Sequence, residues 1–180
     1  DNSVIEGGQE FLEFGQASFT PNLPADTQLT LKADICYNYQ TQAVTTLCLK
    51  KNVLKKEVGD VCSVNNPAPS FDNSGAPMQI ADIKESSIGT NKIRVSFKIV
   101  NQGIGAVYAP NTFSKSCLGM EDKKNTVHVS VSSPETALHP QCTQLGGGSK
   151  GIIKLVNNQK DITCTIDTQG LQEVTFQDLV

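Results

Sequence analysis

Six cysteines are the residues of this 180-residue chain whose types and spacing say most about its chemistry. No two of them have the C-x-x-C spacing of zinc ribbons and redox motifs, and two histidines are too few for most metal clusters. An even number of widely spaced cysteines is typical of disulfide-bonded proteins from oxidising compartments. The sequence therefore predicts three disulfide bonds and a secreted or cell-surface protein, with buried free thiols in a reducing compartment as the alternative.

The pairing of these cysteines depends on a hairpin predicted over residues 28–51. If that hairpin is centred near Gln42, Cys36 and Cys48 stand opposite each other, with Cα atoms about 4.5–5.5 Å apart and within disulfide reach. A bond between Cys48 and Cys62 is the competing assignment. Three cysteines lie on each side of residues 67–76, so at least one bond crosses that segment if all six pair. The predicted set is Cys36–Cys48, Cys62–Cys117 and Cys142–Cys164.

Two stretches have the composition of ligand-binding loops. GGGSKG at 146–151 invites comparison with a phosphate-binding loop, but that motif needs Ser or Thr after the lysine and a helix behind it. Here Gly151 follows Lys150 and a strand pattern comes next, so a flexible hairpin loop is predicted. The basic stretch LKKNVLKKE at 49–57 would suit an acidic polymer or a lipid surface. Neighbouring acidic residues dilute its charge, and a solvated loop is the preferred interpretation.

The remaining candidate ligands are the histidines and one short polar run. His128 has the outward parity of its strand and His139 precedes a proline in a loop, so both are predicted to lie on the surface. The run DNS at 72–74 offers oxygen ligands for calcium but lacks the further spaced carboxylates of an EF-hand. No hydrolase or metalloprotease signature occurs in the sequence. We therefore predict a non-enzymatic protein without catalytic, cofactor-binding or metal-binding residues.

The elements that would position these residues are β-strands, because period-two alternation dominates the chain. In QLTLKADICYNYQ, residues 28–40, apolar or aromatic side chains occupy every second position over twelve residues. This pattern predicts a strand with one buried face, paired in a hairpin with a second strand over 45–50. Tyr37 and Tyr39 are expected to be buried on that face. The predicted inward face consists of Leu29, Leu31, Ala33, Ile35, Tyr37 and Tyr39.

Further short strands follow, separated by turns rich in Gly, Pro and Asn, and helix signals are almost absent. The chain is therefore predicted to be an all-β, immunoglobulin-like β-sandwich, preferably two small packed sandwiches, with one larger sandwich as the alternative. The predicted units are an N-terminal β domain at 1–66, a linker at 67–76 and a sandwich at 77–180. These later strands are predicted at 78–83, 92–100, 126–132, 151–156, 162–166 and 174–176, with a hairpin turn at Asn157-Asn158-Gln159.

Composition limits the partners of the protein. A net charge of −3 and a single arginine, Arg94, are a poor match for nucleic acid. No run approaches the roughly 20 apolar residues of a membrane span. The chain begins at Asp1 without Met or a signal-peptide pattern, so we interpret it as a processed or trimmed chain whose targeting segment or anchor would lie upstream.

One stretch of the second half, residues 76–108, combines a proline-led strand, a turn and a strand that runs into an N-x-G-x-G corner. The pattern resembles CARDB-type immunoglobulin-like modules of microbial surface proteins, and the six cysteines depart from it. Asn101, Gln102 and Gly103 are expected to tolerate the positive φ angles of a corner or bulge, and Gly105 to let the chain continue closely packed. The matching residues are Pro77, Ile80, Ile83, Gly89, Val95, Phe97, Ile99, Asn101, Gly103 and Gly105. The whole chain is also similar to uncharacterised secreted proteins of small-celled archaea, at Cys36, Tyr37, Tyr39, Thr41, Ala43, Gly75, Ala76 and Pro77.

These patterns favour a non-enzymatic extracellular or cell-surface module with a structural or adhesive role, which is also what the resemblance implies. The alternative is a subunit of an extracellular filament. In that case the N-terminal stretch QEFLEFGQASF, residues 9–19, would complete the sheet of a neighbour by β-strand addition, with Gly7 and Gly8 as its hinge. The expected partners are other protein subunits or cell-surface components, including further copies of the chain.

Overall fold

The computed structural model describes residues 11–16, 18, 25–55, 62–64, 70–112, 119–135, 137–171 and 175–179. Within these residues the chain forms nine β-strands and two short 3₁₀ helices, Glu121–Lys123 and Thr143–Leu145, and no α-helix. The predicted all-β class is confirmed. The strands are β1 Ala43–Leu49, β2 Phe71–Asn73, β3 Met78–Ile88, β4 Lys92–Asn101, β5 Thr126–Ser130, β6 Gln141–Cys142, β7 Lys150–Lys154, β8 Gln159–Asp167 and β9 Thr175–Leu179.

The strands form three antiparallel sheets, in the orders β2-β1-β9, β3-β4-β8-β6 and β5-β7. One cluster of buried apolar side chains includes members of all three sheets, as a sandwich requires. The first sheet takes β1 from segment 1–66, β2 from segment 67–76 and β9 from segment 77–180. The predicted segments therefore share a sheet, and the stretch predicted as a linker contains one of its strands.

Strand β4 is central to the largest sheet and shows why alternation is informative there. Its apolar side chains at Ile93, Val95, Phe97 and Ile99 are at most 8% exposed and point into the core. Its neighbours are β3 and β8, and pairing places Ile166, Cys164 and Ile162 of β8 opposite the first three of these side chains. Because both edges of β4 are paired and one face is buried, its local pattern and its tertiary environment agree.

A β-bulge in β3 changes which of its residues face the core. The register with β4 shifts between Ala81 and Lys84, and Asp82 adopts a φ of 53°. Ile80, before the bulge, is paired with an inward residue of β4, and so is Glu85 five positions later. Uninterrupted alternation would place those two side chains on opposite faces, so the bulge turns a carboxylate inward.

The N-x-G-x-G corner is held by the side chain of Asn101. Its Nδ2 donates to the Gly105 carbonyl at 3.0 Å, and its Oδ1 accepts from the Gly103 N–H at 3.0 Å. The expectation of positive φ angles here is wrong, because none of residues 101–105 has one. Gly103 is needed instead for close packing, since a Cβ there would lie 2.8 Å from the Cβ of Pro77. The close packing predicted at Gly105 is wrong, because a Cβ there would meet nothing within 4 Å.

The turn predicted at Asn157-Asn158-Gln159 is present, but the hairpin is not. Asn157 and Asn158 both have left-handed φ angles, 51° and 62°, and Val156 and Gln159 form an isolated bridge across the turn. Strand β7 before the turn pairs with β5, whereas β8 after it pairs with β4 and β6. The tight turn therefore takes the chain from one sheet to another.

The strand predicted over residues 28–39 is wrong, and so is its hairpin with β1. Residues 26–42 form no strand, and Leu31 is 87% exposed. Strands distant in sequence pair with β1 in its place. Residues 43–45 of β1 pair with β2 on one side, and residues 45–49 pair with β9 on the other.

The absence of that hairpin also decides the disulfide bonds. Cys48 is bonded to Cys62 with Cα atoms 5.7 Å apart, so the predicted pairs Cys36–Cys48 and Cys62–Cys117 are wrong and the competing assignment holds. The bond Cys142–Cys164 is confirmed and joins directly paired residues of β6 and β8. Cys36 is disulfide-bonded as well, and Cys117 lies outside the described residues.

Candidate functional site

An open groove with a volume of about 1410 Å³ lies among the described residues. It is larger than the ~300–1,000 Å³ of most small-molecule sites. All three sheets border it, as do the corner after β4 and the segment that precedes β1. Its lining includes Ile83, Val95, Phe97 and Ile99, core side chains that are at most 8% exposed and are called the floor below. Val127 and Val129 of β5, Thr45 of β1 and Leu179 of β9 also line it.

Strand β5 gives the groove an edge that can form backbone hydrogen bonds. Over Thr126–Ser130 it pairs with β7 on one side, and the described part of the chain places no strand on the other side. Val127 and Val129 are half-buried and pack against the core, while His128 and Ser130 are exposed. An edge strand above an apolar floor is the geometry to which an extended polypeptide can add.

The corner after β4 closes one end of the groove. Asn101 and Gly103 line it, and Ile104 between the corner glycines is fully exposed. Tyr108 follows, and its backbone forms an isolated bridge with Lys124 just before β5. The corner thus places a large apolar side chain in solvent beside an apolar groove, an arrangement that favours contact with another molecule.

The segment before β1 runs along the rim of the groove. Lys32 and residues 34–42 border it, and two of these residues are tied to the start of β3 and to the turn before it. Thr41 Oγ1 donates to the Met78 carbonyl at 2.8 Å, and the Gln42 N–H donates to Ser74 Oγ at 2.9 Å. The ties hold the last residues of the segment in place while leaving its apolar side chains outside the core.

Tyr37 and Tyr39 lie on this rim and not in the core, so their predicted burial is wrong. Tyr37 is 62% exposed and Tyr39 is 39% exposed, with ring centroids 5.7 Å apart. Partial burial, and secondarily the neighbouring Tyr37, raise the pKa of the Tyr39 hydroxyl. The pair presents aromatic surface at the mouth of the groove.

The groove has few groups suited to acid–base or nucleophilic chemistry. Among the described lining residues there is one carboxylate, Asp34, and one imidazole, His128. Two lysines, Lys32 and Lys150, also border it, and the remaining lining is largely apolar or amide. This composition suits recognition of an apolar strand through backbone edges and side-chain packing.

The glycine-rich stretch 146–151 forms a turn that leads into β7. Gly146 and Gly147 have φ angles of 72° and 84°, which glycine adopts without strain. The Cys142 N–H donates to the Gly148 carbonyl at 2.9 Å and fixes the turn against β6. A strand follows at Lys150 where a phosphate-binding loop has a helix, so the helix N-terminus on which such a loop depends is missing at this turn.

The basic stretch is not uniformly solvated. Lys50 is only 5% exposed, whereas Lys51 and Lys55 are exposed and Lys56 lies outside the described residues. The Val53 N–H donates to the Thr90 carbonyl at 2.8 Å, which packs the loop against the β3–β4 turn. Lys50 therefore lies at the boundary of the core, whereas Lys51 and Lys55 lie in solvent.

The other predicted candidates are spread over the surface. His128 and His139 are both exposed. Asn73 accepts from the Ile80 N–H at 3.0 Å and donates to the Ile80 carbonyl at 2.9 Å, so its side chain joins β2 to β3. Ser74 accepts the bond from Gln42 described above. Across the described residues, no three His, Cys, Asp or Glu side chains come together as a metal site would require.

Glu85 is a titratable group that the sequence analysis missed. Its Oε2 accepts from the Cys48 N–H at 3.3 Å, beside the Cys48–Cys62 bond. Its Oε1 is buried without a hydrogen-bond partner among the described residues. Burial raises the pKa of this carboxyl to about 7, with the Cys48 hydrogen bond acting in the opposite direction. Only the bulge in β3, which alternation does not reveal, places it there.

No helix among the described residues has both the length and the apolar character needed to cross a membrane.

Comparison with known proteins identifies no relative of this chain. Neither the models of protein families, nor curated proteins, nor solved structures contain a match to this chain.

Proposed function

We propose that this chain is a non-enzymatic extracellular or cell-surface module with a structural or adhesive role, acting through the groove. The supporting observation is the combination of the apolar floor with the open edge of β5. Proteins that bind extended segments by β-strand addition use backbone hydrogen bonds for affinity and side-chain pockets for specificity, and this groove offers both.

Two further observations support the extracellular part of the proposal. Every described cysteine is disulfide-bonded, which is the state that oxidising compartments maintain. The resemblance of residues 76–108 to CARDB-type modules suggests the same setting. We accordingly propose a module of that kind within a larger surface architecture.

Surface labelling of intact source cells, combined with mass measurement, tests this function. The native chain should be labelled by a membrane-impermeant reagent. Its intact mass should rise by six hydrogens on denaturing reduction, because six cysteines would be paired. An unlabelled chain whose mass does not change on reduction would contradict the proposal. Labelling of a cytoplasmic control protein would show that the reagent had entered the cells, and that preparation would be discarded.

The second candidate function is a filament subunit that donates its N-terminal stretch at 9–19. Phe11, Leu12 and Phe14 of that stretch are exposed, and residues 11–16 form no strand. Its other residues, except Ser18, lie outside the described part of the chain. Electron microscopy of full-length chain and of chain lacking residues 1–20 tests this candidate. Filaments should form only with the full-length chain, and filaments of the truncated chain would exclude donation from this stretch.

A further inference from the structure

We infer that the Cys48–Cys62 bond is a reducible switch controlled by the Glu85 carboxyl. Thiols open the bond while this carboxyl is protonated, and the negative charge of the ionised carboxylate protects it. Opening removes the covalent tie that closes the loop of residues 49–61. The inference goes beyond the proposed function and does not depend on the groove, because neither cysteine nor Glu85 lines it.

The two cysteines of this bond are unequally exposed. Cys48 lies in β1 and is 5% exposed, whereas Cys62 is half-buried and packs against the core from outside. A thiolate opens a disulfide by attacking one of its sulfurs, and access decides which sulfur it reaches. Attack therefore falls on Cys62 Sγ, and Cys48 Sγ is the leaving group. The Cys142–Cys164 bond offers no such approach, because both of its residues are 0% exposed.

Glu85 lies on the side of the leaving group. Its Oε2 accepts from the Cys48 N–H at 3.3 Å, and its Oε1 is buried without a hydrogen-bond partner among the described residues. Covalent geometry keeps Cys48 Sγ within about 4 Å of its own backbone nitrogen, so Oε2 lies no more than about 8 Å from that sulfur. At this range, in a partly buried site, water and salt screen the charge of a carboxylate only weakly.

The reaction uses an external dithiol and proceeds in two balanced steps. In the first, a thiolate of the dithiol donates an electron pair to Cys62 Sγ and the S–S bond breaks. Cys48 Sγ leaves with the electrons of that bond and takes up a proton from water. In the second step, the other thiolate of the reagent attacks the reagent sulfur of the mixed disulfide and releases Cys62, which is protonated in turn. The dithiol is oxidised to a disulfide, and the protein gains two thiols.

Ionisation of Glu85 slows the first step. Thiol–disulfide exchange is faster when the leaving sulfur bears its negative charge more easily. A carboxylate close to Cys48 Sγ disfavours a second negative charge there and makes this sulfur a poorer leaving group, whereas a protonated carboxyl does not. Burial raises the pKa of Glu85 to about 7, so the change from a readily reduced bond to a protected bond occurs near neutral pH.

Other charged residues lie on the elements around Glu85, and a comparison of variants removes their contribution. Val95, the β4 residue paired with Glu85, is fully buried and apolar. The surrounding charges are the same in wild type and in Glu85→Gln, so a difference between the two chains reports on Glu85 alone. These residues are Lys84 of β3, Arg94 of β4, Lys50, Lys51 and Lys55 of the loop and, by register, Asp178 of β9, while Lys56, Glu57 and Asp60 lie outside the described residues.

Reduction of the full-length, disulfide-intact chain by dithiothreitol tests the inference. Alkylation and peptide mass spectrometry give the rate at Cys48–Cys62. Wild type and Glu85→Gln should react equally, within about twofold, at about pH 5.5, and wild type should react about five- to tenfold more slowly at about pH 8.5. The reactivity of the reagent changes with pH but cancels in this ratio. Glu13→Gln, which removes an exposed carboxylate, is the matched control and should react like wild type throughout.

A probe with a single thiol identifies the sulfur that is attacked. Wild type treated briefly with 2-mercaptoethanol and quenched with N-ethylmaleimide should carry the mixed disulfide on Cys62 and the alkyl group on Cys48. A mixed disulfide on Cys48 would overturn the assignment of the leaving group, and with it the role of Glu85.

Three results of the kinetic comparison also overturn the inference. Equal rates of wild type and Glu85→Gln at the alkaline end show that Glu85 does not control the bond. Faster reduction of wild type there shows that the buried charge loosens the fold instead of protecting the bond. Reduction that occurs only when the chain is unfolded shows a purely structural bond. If Glu85→Gln does not fold, wild type decides alone, because its rate per unit of reagent thiolate should fall through a midpoint at about pH 7, and a flat profile overturns the inference.

Discussion

Replacing Glu85 with glutamine should stabilise the protein above neutral pH and have little effect in acid. In the native state burial raises the pKa of this carboxyl to about 7, from an ordinary value of 4.5. Below pH 4.5 the carboxyl is protonated in both the folded and the unfolded chain, so it imposes no charge penalty. As pH rises from 4.5 to 7, the unfolded chain loses its proton first, and the stability of the wild type falls.

The size of the effect follows from that difference in pKa. The full difference corresponds to about 3 kcal/mol. Glu85 is only partly buried, so solvent screening reduces the expected penalty to about 1–2 kcal/mol. Glutamine has nearly the same shape and keeps an oxygen that can accept from the Cys48 N–H. Glu85→Gln should therefore exceed wild type in unfolding free energy by about 1–2 kcal/mol at alkaline pH, and match it within about 0.5 kcal/mol in acid.

Urea unfolding monitored by circular dichroism, with the disulfides intact, measures this difference between about pH 4 and pH 8.5. Glu13→Gln removes a carboxylate from an exposed position in no strand and is the matched control, with no comparable pH-dependent gain expected. NMR titration of the Glu85 carboxyl carbon provides an independent reading of its pKa. The reasoning is refuted if Glu85→Gln changes stability equally at both ends of the pH range, or if that carboxyl titrates near 4.5.

Three further substitutions or treatments test the corner and the core. Gly103→Ala should lower the unfolding free energy of the protein by about 1–3 kcal/mol through overpacking. Gly105→Ala should not lower it, because a Cβ there would meet nothing within 4 Å. Equal urea midpoints for the two variants would contradict the packing argument. Asn101→Ala removes two hydrogen bonds and should cost about 1–3 kcal/mol, with Asn101→Asp recovering part of it by keeping the acceptor. Under native conditions a reductant should open the Cys48–Cys62 bond at least about tenfold faster than the Cys142–Cys164 bond, because Cys142 and Cys164 are both 0% exposed. Thiol labelling and mass spectrometry measure the two rates. Faster opening of Cys142–Cys164 would contradict this prediction.

The local sequence pattern predicted a strand correctly where the strand has the same surroundings along its whole length. Alternation predicted β4 and its inward residues because that strand is paired on both edges and buried on one face. The asparagine turn at 157–158 was also readable from sequence, since asparagine tolerates left-handed φ angles. In both cases the determining interactions lie within the element or are implied by its period.

The same alternation predicted a strand over residues 28–39, where the structure has none. Alternation shows that a segment has one apolar face, but not which surface will cover it. The partners of a strand are residues distant in sequence, and here β2 pairs with residues 43–45 of β1 and β9 with residues 45–49. The groove could not be predicted from the sequence either, because the residues that line it come from three sheets.

By itself, the sequence determined an all-β chain with paired cysteines, apolar side chains at every second position of residues 28–39, and a corner at Asn101. Each of these is a property of neighbouring residues or of composition. Only the tertiary structure decided that Cys48 bonds Cys62, that a bulge turns Glu85 inward, and that residues of three sheets line one groove beside β5. Those features depend on register and on the spatial proximity of distant segments, which no local periodicity specifies.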